Sequence, residues 1–457
     1  MPMNKVVHAA QRAAFSAAID AAINAVRGKG PEHMAEQAVK LVNLAQPLLA
    51  HRYPDADWDK VRSFVSDPNS KWMEYAYKAI NEIDPHILKM NTLNLVYEGM
   101  FAGYNYVMEL RKKYDCNMPW ILLFDPTSAC NLHCKGCWAA EYGNRLNLSF
   151  EDMDRIVTQG KELGIYLYFF TGGEPLVRKD DIIRLCEKHD DCGFHAFTNG
   201  TLIDEKFCQE MKRVGNFSVA ISLEGFDEVN DLRRGKGVFD KVMHAMDLMK
   251  QYGLIFGTSI CYTSKNYKVV TSDEFLDMII EKGARFSWYF HYMPVGNDAS
   301  TELLLDPDQR EYMYHRIREI RAMKGGKPIF AFDFQNDGEY VGGCIAGGRN
   351  YCHINPNGDV EPCVFIHYSG ANIKEVDLLT ALKQPLFMAY RANQPFNCNH
   401  LKPCPMLENP EILQHMVHET GAHSTDLQSP ESVEHLCGKC AEYAKNWDER
   451  AQELWNK

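Results

Sequence analysis

The stretch Cys130-Asn-Leu-His-Cys134-Lys-Gly-Cys137 follows directly after an apolar segment, ILLFDPT at residues 121–127. Three cysteines on one short loop can bring their thiolates to a single metal centre. A [4Fe–4S] cluster usually has a cysteine on every iron, so three ligands leave one iron open to an exchangeable group. The same spacing also fits a zinc site completed by His133 or by a distant residue. The stretch therefore predicts a metal centre, iron–sulfur or zinc, after a strand.

Strand-like and helix-like segments alternate through the middle of the chain. The candidate strands are short, apolar and rich in aromatic or β-branched residues, as buried parallel strands are, and lie at 121–127, 166–173, 194–201, 217–225, 255–263 and 286–293. Helix-period segments run between them at 151–164, 180–190, 204–214, 239–252 and 272–282. Asp204 and Ser272 are expected to be N-caps. The pattern predicts an α/β fold, a partial (β/α)6 TIM-like barrel whose chemistry lies at the carboxyl ends of its strands.

Three regions are expected. Residues 1–118 have a helical period and predict an N-terminal helical region that caps the larger domain. The alternative is a membrane-surface helix, although the polar face lacks the density of Lys and Arg expected of one. Residues 119–330 form the barrel core. Residues 331–457 contain seven of the cysteines and predict a small, loop-rich, cysteine-rich C-terminal domain.

The composition of the chain disfavours some classes of partner and location. The net charge of the 457-residue chain is −12, which disfavours nucleic acid as a partner. The N-terminus lacks the apolar core of a secretory signal, and no apolar run is long enough to span a membrane. A reducing, cytoplasmic location is therefore expected, where the 15 cysteines indicate metal ligation or catalysis before disulfides.

A second motif, Gly172-Gly173-Glu174-Pro175, follows the second candidate strand. Together with the CxxxCxxC loop after the first strand, it resembles the radical S-adenosylmethionine (radical SAM) superfamily, over about residues 120–300. The resemblance implies that Cys130, Cys134 and Cys137 hold a [4Fe–4S] cluster whose open iron is chelated by the amino and carboxylate groups of S-adenosylmethionine. One electron, from a donor such as flavodoxin or ferredoxin, would then cleave the sulfonium. The resulting 5′-deoxyadenosyl radical would abstract a hydrogen from the substrate.

Further residues suit that cofactor. Gly172 and Gly173 lack Cβ atoms, so the backbone there can approach a ligand closely. By the resemblance, Glu174 binds the methionine ammonium and Ser222 contacts the methionine carboxylate or the ribose. Asn199 ends the third strand and either serves the ligand or caps the turn.

The fourth strand leads into two more family-like features. Glu224 stands where many relatives carry Asp, and Asp231-Leu-Arg233-Arg234-Gly235 resembles the DxxRG segment of the family. Arg234 would then make a charge-assisted contact with the cofactor carboxylate, unless the two arginines form a solvated basic pair.

One departure concerns the adenine. The family usually has an aromatic residue directly before the third cysteine, where this chain has Gly136, and Trp138 follows that cysteine instead. Either Trp138 takes over the adenine contact or the adenine is held differently.

The C-terminal region contains a second set of spaced cysteines. Cys344 and Cys363 stand in a C-x13-G-x4-C pattern across INPNGDVEP, which predicts a hairpin, and the pattern resembles the opening of the SPASM domain, an auxiliary iron–sulfur module. The remaining cysteines are too few for two complete clusters. One auxiliary [4Fe–4S] cluster is expected, with ligands from Cys344, Cys363, Cys404, Cys437 and Cys440. A zinc site on Cys437 and Cys440 is the alternative for that pair. The other cysteines, Cys352, Cys116, Cys186, Cys192, Cys208 and Cys261, are expected to be buried or structural.

The sequence gives fewer signals about the substrate-binding region, and it assigns no single catalytic side chain. Trp288, Tyr289, His291 and Tyr292 end the sixth strand and either line a pocket or pack against the cap. The polar residues of 331–337 supply substrate contacts or a capped turn. The expected function is a radical SAM oxidoreductase or maturase that acts on a peptide or protein. The alternative substrates are lipids or other small molecules, and the remote alternative is a zinc-stabilised scaffold, which leaves GGEP and the strand order unexplained.

Overall fold

The computed structural model describes residues 5–49 and 57–456. Its strands are β1 Ile121–Phe124, β2 Leu167–Phe170, β3 Gly193–Thr198, β4 Phe217–Ser222, β5 Phe256–Tyr262, β6 Phe286–His291, β7 Phe330–Asp333, β8 Tyr351–Ile354, β9 Val360–Glu361, β10 Tyr368–Ser369 and β11 His423–Ser424.

The helices precede, alternate with and follow these strands. The α-helices are α1 Lys5–Val26, α2 Pro31–Leu49, α3 Trp58–Ser66, α4 Lys71–Glu82, α5 Pro85–Thr92, α6 Tyr104–Tyr114, α7 Phe150–Glu162, α8 Lys179–Lys188, α9 Glu205–Val214, α10 Asp227–Arg234, α11 Val238–Gln251, α12 Asp273–Glu281, α13 Pro307–Arg321, α14 Gly338–Val341, α15 Leu378–Ala381, α16 Pro385–Asn393, α17 Pro410–Thr420 and α18 Val433–Trp455. A π-helix spans Leu93–Gly103, and 3-10 helices span Trp138–Tyr142, Pro175–Arg178 and Thr301–Leu303.

Strands β1 to β9 form one sheet, in the order β7-β6-β5-β4-β3-β2-β1-β8-β9. Its neighbours are parallel except for β8 and β9, which are antiparallel. Because β7 and β9 stand at opposite ends of this order, the sheet is an open, partial barrel rather than a closed one. The predicted α/β architecture is confirmed, with helices in the N-terminal region and a parallel sheet in the core.

The six predicted strands are all present, and two further parallel strands extend the sheet. Strand β7 covers the first part of the 331–337 segment, and Asp333 then caps the following turn by accepting from the backbone N–H of Gln335 and Asn336 at 3.2 Å. The hairpin expected across INPNGDVEP is β8 and β9, but β8 also pairs with β1. The C-terminal region thus contributes strands to the barrel sheet, and the division into 1–118, 119–330 and 331–457 stays a prediction.

Local signals place the helices between the strands. Asp204 and Ser272 accept hydrogen bonds from the backbone N–H of Phe207 and Phe275, as N-caps do. In the N-terminal region, Ile19 and Ile23 of α1 pack against Leu93 and Tyr97 of the π-helix. No helix within the described residues is both long and apolar enough to cross a membrane.

Side-chain alternation along the strands separates an outer core from a lumen. Phe124, Tyr168, Phe170, Phe194 and Phe217 belong to the main hydrophobic core. Their strand neighbours point to the opposite face. Aromatic rings on that face form a continuous series of ring–ring contacts. We call these residues the lumen aromatics: Phe169, Phe197, Trp288, Phe290, Phe332 and Phe334. None of them is fully buried, so they line the interior of the barrel with apolar surface.

The C-terminal region is less loop-rich than the sequence indicated. It contains α16, α17 and the long helix α18, which carries Cys437 and Cys440 three positions apart on one face. These helices enclose a second hydrophobic cluster with Trp447, Tyr390 and Leu407 at its centre. This cluster also includes Leu123, Met293 and Val295 of the barrel region, and the cysteine spacing did not reveal it.

Candidate functional site

The loop after β1 carries Cys130, Cys134 and Cys137 as unpaired, partly exposed thiols. Burial raises the pKa of the Cys130 thiol to about 11, and the charges of Cys137 and Cys134 contribute to the rise. Arg234 Nη1 lies 3.9 Å from Cys134 Sγ, in position to donate to it. The loop thus presents three neighbouring thiols, beside a cation, at the carboxyl end of the barrel strands.

A buried carboxylate holds two arginines next to this loop. Glu224 accepts hydrogen bonds from Arg233 Nη1 at 3.0 Å and from Arg234 Nη2 at 2.8 Å. Burial alone would raise its pKa, but the guanidiniums of Arg234 and Arg233 hold the pKa of the Glu224 carboxyl below its usual range. The arginine side chains are only 17% and 11% exposed, so the structure does not place them as a solvated pair.

Glu174 is fixed at the end of β2. Its Oε1 accepts from Thr198 Oγ1 at 2.6 Å and from Leu176 N–H at 3.0 Å, and its Oε2 accepts from Asn199 N–H at 2.7 Å. Burial raises the pKa of this carboxyl. A carboxylate has about four acceptor positions. The three protein bonds therefore orient the group and leave capacity for an ammonium.

The two glycines before Glu174 face the cysteine loop. A Cβ on Gly172 would lie 2.6 Å from Thr127 O, and a Cβ on Gly173 would lie 2.3 Å from Ala129 O. Gly172 also has a φ of +103°, which other residues rarely adopt. The close approach that requires glycine here is to the chain leading into Cys130, and binding of these glycines to a cofactor stays a prediction.

The Asn199 side chain caps its own turn and also contacts the cysteine loop. Its Oδ1 accepts from Thr201 N–H at 2.9 Å, while its Nδ2 donates to Asn131 Oδ1 at 2.8 Å and lies 4.0 Å from Cys130 Sγ. The side chain therefore caps its turn, which is one of the two alternatives posed for this residue, and a role in binding a ligand stays a prediction.

The Trp138 ring packs against residues of the C-terminal region. Its ring makes edge contacts with Phe365, His353 and His367, with centroids about 6 Å apart. At Gly136, a Cβ would lie 2.9 Å from Cε2 of Tyr292, so the ring of Tyr292 already covers this position. A contact between Trp138 and the adenine stays a prediction.

The end of β6 divides its side chains between two environments. Trp288 faces the lumen, where its ring contacts Phe197 and Phe332. Tyr289 is buried on the outer face and donates to Val270 O at 2.9 Å. His291 packs outward against Tyr443. Of the four residues proposed to end this strand, only Trp288 belongs to the lumen aromatics.

Ser222 and Cys261 stand on neighbouring strands on the lumen face. Ser222 of β4 is partly exposed beside Ser259, and Cys261 of β5 lies close enough to Arg233 for the guanidinium to affect its thiol. Burial raises the pKa of Cys261, and Arg233 opposes the rise. Cys261 was expected to be an isolated structural cysteine, and the structure instead places it beside the Glu224–Arg233 pair.

A second group of thiols lies in the C-terminal region. Burial raises the pKa of the Cys404 thiol well above its usual value, and the charges of Cys344 and Cys363 contribute. Tyr351 OH lies 2.9 Å from Cys363 Sγ and hydrogen-bonds to it. Cys344, Cys363 and Cys404 are therefore neighbours at the end of the β8 hairpin. We call these three the auxiliary thiols.

The remaining cysteines separate by environment. Cys437 and Cys440 are buried on α18, within the hydrophobic cluster that also contains Cys363. Cys398 is exposed, whereas Cys352, Cys116, Cys186, Cys192 and Cys208 are buried, as expected of structural residues. Within the described residues, no three histidine, cysteine or acidic side chains already adopt a metal-binding arrangement. Rotation of the cysteine side chains would have to complete either ligand set.

Two family models match the chain. Residues 124–279 match the radical SAM superfamily, and residues 344–405 match SPASM, an iron–sulfur cluster-binding domain. The chain carries a radical SAM domain followed by a SPASM domain. The cysteine loop, the GGEP motif and the Glu224 site lie in the former, and the auxiliary thiols lie in the latter.

Known proteins resemble the two domains at modest identity. The Fe-coproporphyrin III synthase of Methanosarcina barkeri is 27% identical over 233 residues, covering 48% of this chain and 57% of that protein. The mycofactocin maturase MftC of Mycolicibacterium smegmatis is 29% identical over 262 residues, covering 54% and 64%. The chain thus spans less than two thirds of each relative. Streptococcus suis SuiB bound to S-adenosylmethionine shares the fold, with a TM-score of 0.56 and 18% identity over 86% of this chain and 89% of SuiB.

The cofactors follow from the two domains. A radical SAM domain binds a [4Fe–4S] cluster and S-adenosylmethionine, and a SPASM domain binds auxiliary iron–sulfur clusters. The donor sets fit these groups, because each site offers neighbouring free cysteines and thiolate is the ligand of iron–sulfur clusters. Glu174 and Arg234 add a carboxylate and a guanidinium whose charges complement the ammonium and carboxylate of an amino acid.

Sequence reasoning missed two charged groups. Glu408 of the SPASM region forms a buried ion pair with Arg310 of α13, and Asp125 at the end of β1 lies 3.0 Å from the buried His353. No local spacing identifies these partners, since each pair joins distant parts of the chain.

Proposed function

We propose that this protein is a radical SAM enzyme that oxidises an organic substrate held in the barrel lumen and passes an electron to an auxiliary [4Fe–4S] cluster. Cys130, Cys134 and Cys137 would hold the first cluster. When bound, that cluster and S-adenosylmethionine supply the one-electron chemistry that removes a hydrogen atom from the substrate. The proposal rests mainly on the second group of thiols, the auxiliary thiols, packed against barrel strand β8.

The residues around the first site have distinct tasks in this scheme. Glu174 would accept a hydrogen bond from the amino group of S-adenosylmethionine, and Arg234, held in place by Glu224, would donate to its carboxylate. The lumen aromatics exclude water from the space in which the substrate radical forms. After hydrogen removal, loss of one proton and one electron from the substrate completes a two-electron oxidation. The auxiliary cluster is the proposed electron acceptor.

Two substrate classes agree with different observations. A peptide or protein substrate is supported by the relative MftC, a maturase. A flat, conjugated small molecule is supported by the Fe-coproporphyrin III synthase and by the lumen aromatics, whose faces offer stacking surface but few hydrogen-bond partners for a peptide backbone. We favour the small molecule for this reason. Titration of the protein with an iron porphyrin that carries carboxylate groups, followed through the porphyrin absorption band, tests whether the lumen binds such a molecule. A Trp288→Ala variant that bound the porphyrin as tightly as the parent would contradict lumen binding.

Metal analysis after anaerobic purification tests the cofactor assignment. Two [4Fe–4S] clusters give about seven to eight irons per chain with a matching amount of sulfide. Stoichiometric zinc without iron would favour the remote alternative, a zinc-stabilised scaffold. The reductant in these assays can be dithionite, since a flavodoxin or ferredoxin is only the proposed physiological donor.

Replacing Cys344 with alanine separates the two clusters. We expect Cys344→Ala to retain cleavage of S-adenosylmethionine in the absence of substrate but to lose substrate turnover, because Cys344 neighbours Cys363 and Cys404 and lies far along the chain from the first cluster loop. The measurements are 5′-deoxyadenosine released and product formed. The matched control is Cys398→Ala, since Cys398 is exposed and its loss should change neither. Unaffected turnover in Cys344→Ala would show that the auxiliary cluster has no essential role.

A further inference from the structure

A buried ion pair lies beside the auxiliary thiols. The side chains of Glu408 and Arg310 both have 0% exposure, and Arg310 Nη1 donates to Glu408 Oε1 at 2.6 Å. Arg310 belongs to α13, whose Met313 and Ile317 pack in the main core of the barrel. Glu408 closes the turn that begins at Cys404, because its N–H donates to Cys404 O at 3.2 Å. The pair therefore joins a barrel helix to the segment that carries a proposed cluster ligand.

Arg310 is fixed in several directions. Its Nε donates to Asn336 Oδ1 at 3.2 Å, its Nη1 also donates to Tyr443 OH at 2.8 Å, and its Nη2 donates to Leu401 O at 3.0 Å. The guanidinium also stacks over the ring of Trp447, 4.3 Å from its centroid. A cation with so many partners cannot follow the carboxylate if Glu408 moves, so it holds Glu408 in one place.

The second oxygen of Glu408 contacts the backbone of Cys404. Cys404 N–H donates to Glu408 Oε2 at 2.7 Å, and the Glu408 N–H donates back to Cys404 O at 3.2 Å. This closed pair of bonds sets the backbone conformation of residues 404–408. The direction in which the Cys404 thiol leaves the chain is therefore determined in part by the carboxylate.

The charge of Glu408 also reaches the thiols. The Glu408 carboxylate is buried, and its Oε2 lies 2.7 Å from the backbone nitrogen of Cys404, so its negative charge is close to the auxiliary thiols and is not screened by water. A fixed negative charge in a desolvated site opposes the addition of an electron to a nearby group. Groups just outside the ligands tune the potentials of metal centres in this way.

We propose that Glu408 is a positioning residue of the auxiliary cluster, which fixes the Cys404 ligand through its backbone and lowers the reduction potential of the cluster through its charge. Arg310 holds the carboxylate and partly offsets that charge. The ion pair thus sets how readily the cluster accepts an electron from the substrate. This inference rests on the proposed function, because it requires a cluster at the auxiliary thiols.

The test uses the full chain with Cys130, Cys134 and Cys137 all replaced by alanine, reconstituted anaerobically, so that only the auxiliary cluster contributes iron and signal. Iron per chain and the midpoint potential from a redox titration followed by electron paramagnetic resonance are measured for Glu408→Gln and Glu408→Asp. The matched control is Glu311→Gln, because Glu311 is the neighbour of Arg310 on α13 and forms a partly exposed pair with Arg450.

We expect Glu408→Gln to retain iron and to shift the midpoint potential to more positive values, whereas Glu408→Asp and Glu311→Gln stay close to the parent. Full iron in Glu408→Gln with an unchanged potential overturns the proposal. Loss of iron in Glu408→Gln but not in Glu408→Asp or Glu311→Gln supports it, since the charge is then needed to hold the ligand. A parent chain without auxiliary iron overturns the proposed function itself, and this outcome is distinguishable because it precedes any change at Glu408.

Discussion

Replacing Cys130, Cys134 and Cys137 together by alanine is expected to abolish 5′-deoxyadenosine formation with dithionite as the reductant. The three thiols are the neighbouring cysteines of the loop after β1, so their removal leaves no ligand set for the first cluster. The auxiliary thiols lie on other segments of the chain, and their cluster signal should remain. Iron per chain should fall by about half. Product is measured by chromatography and the clusters by electron paramagnetic resonance.

His133→Ala is the control on the same loop. His133 is exposed, between Cys130 and Cys134, and it would complete the site if the metal were zinc. With an iron–sulfur cluster, this variant should keep both its iron and its cleavage activity. If the triple cysteine variant still cleaved the sulfonium, the assignment of these thiols would be wrong. Loss of metal in His133→Ala would point to zinc instead.

Much of the barrel could be predicted because its signals are local. Each of the six predicted strands is a short apolar run, and residues such as Asp204 mark helix starts by bonding three residues ahead. Strand β8 is different. Its sequence indicated a hairpin with β9, which is also local, but its pairing with β1 joins residues more than two hundred positions apart. No periodicity encodes such a partner.

The candidate site shows the same division. The CxxxCxxC and GGEP motifs identify residues by spacing, whereas their environments depend on distant contacts. Gly173 needs to lack a Cβ because the chain at Ala129 passes within 2.3 Å of that position. The sequence left open whether Trp138 contacts the adenine, and the structure shows that its ring contacts residues of the C-terminal region such as Phe365. Those contacts exist only once the tertiary structure has formed, so the sequence could name the residues without placing them.

The second large effect is expected at His353, which joins β8 to the end of β1. Its side chain has 0% exposure, with Nε2 lying 3.0 Å from Asp125 Oδ1 and Nδ1 lying 2.7 Å from Glu361 Oε2. His353→Leu would leave two buried carboxylates without a cation. Removing one partner of a buried ionic group costs about 3–5 kcal/mol. We therefore expect a loss of that size in the free energy of unfolding, measured by anaerobic urea denaturation of the cluster-loaded protein.

The effect should depend on pH in a defined direction. Burial by itself lowers the pKa of His353, but Asp125 and Glu361 raise it from 6.5 to about 10. A group whose pKa is raised on folding contributes its full stabilisation of the folded state at pH values below its pKa in the unfolded chain. This stabilisation is lost as the pH rises through the pKa of the group in the folded protein. The difference between the parent and His353→Leu should therefore be widest below pH 6.5 and should narrow toward pH 10.

His418→Leu is the matched control, because His418 forms the same kind of pair at the surface. Its Nε2 lies 2.6 Å from Glu434 Oε1, but the two side chains are 61% and 57% exposed. Exposed pairs contribute at most about 1 kcal/mol, so this variant should unfold close to the parent. If His353→Leu lost no more stability than His418→Leu, or lost the same amount at every pH, His353 would not be an imidazolium.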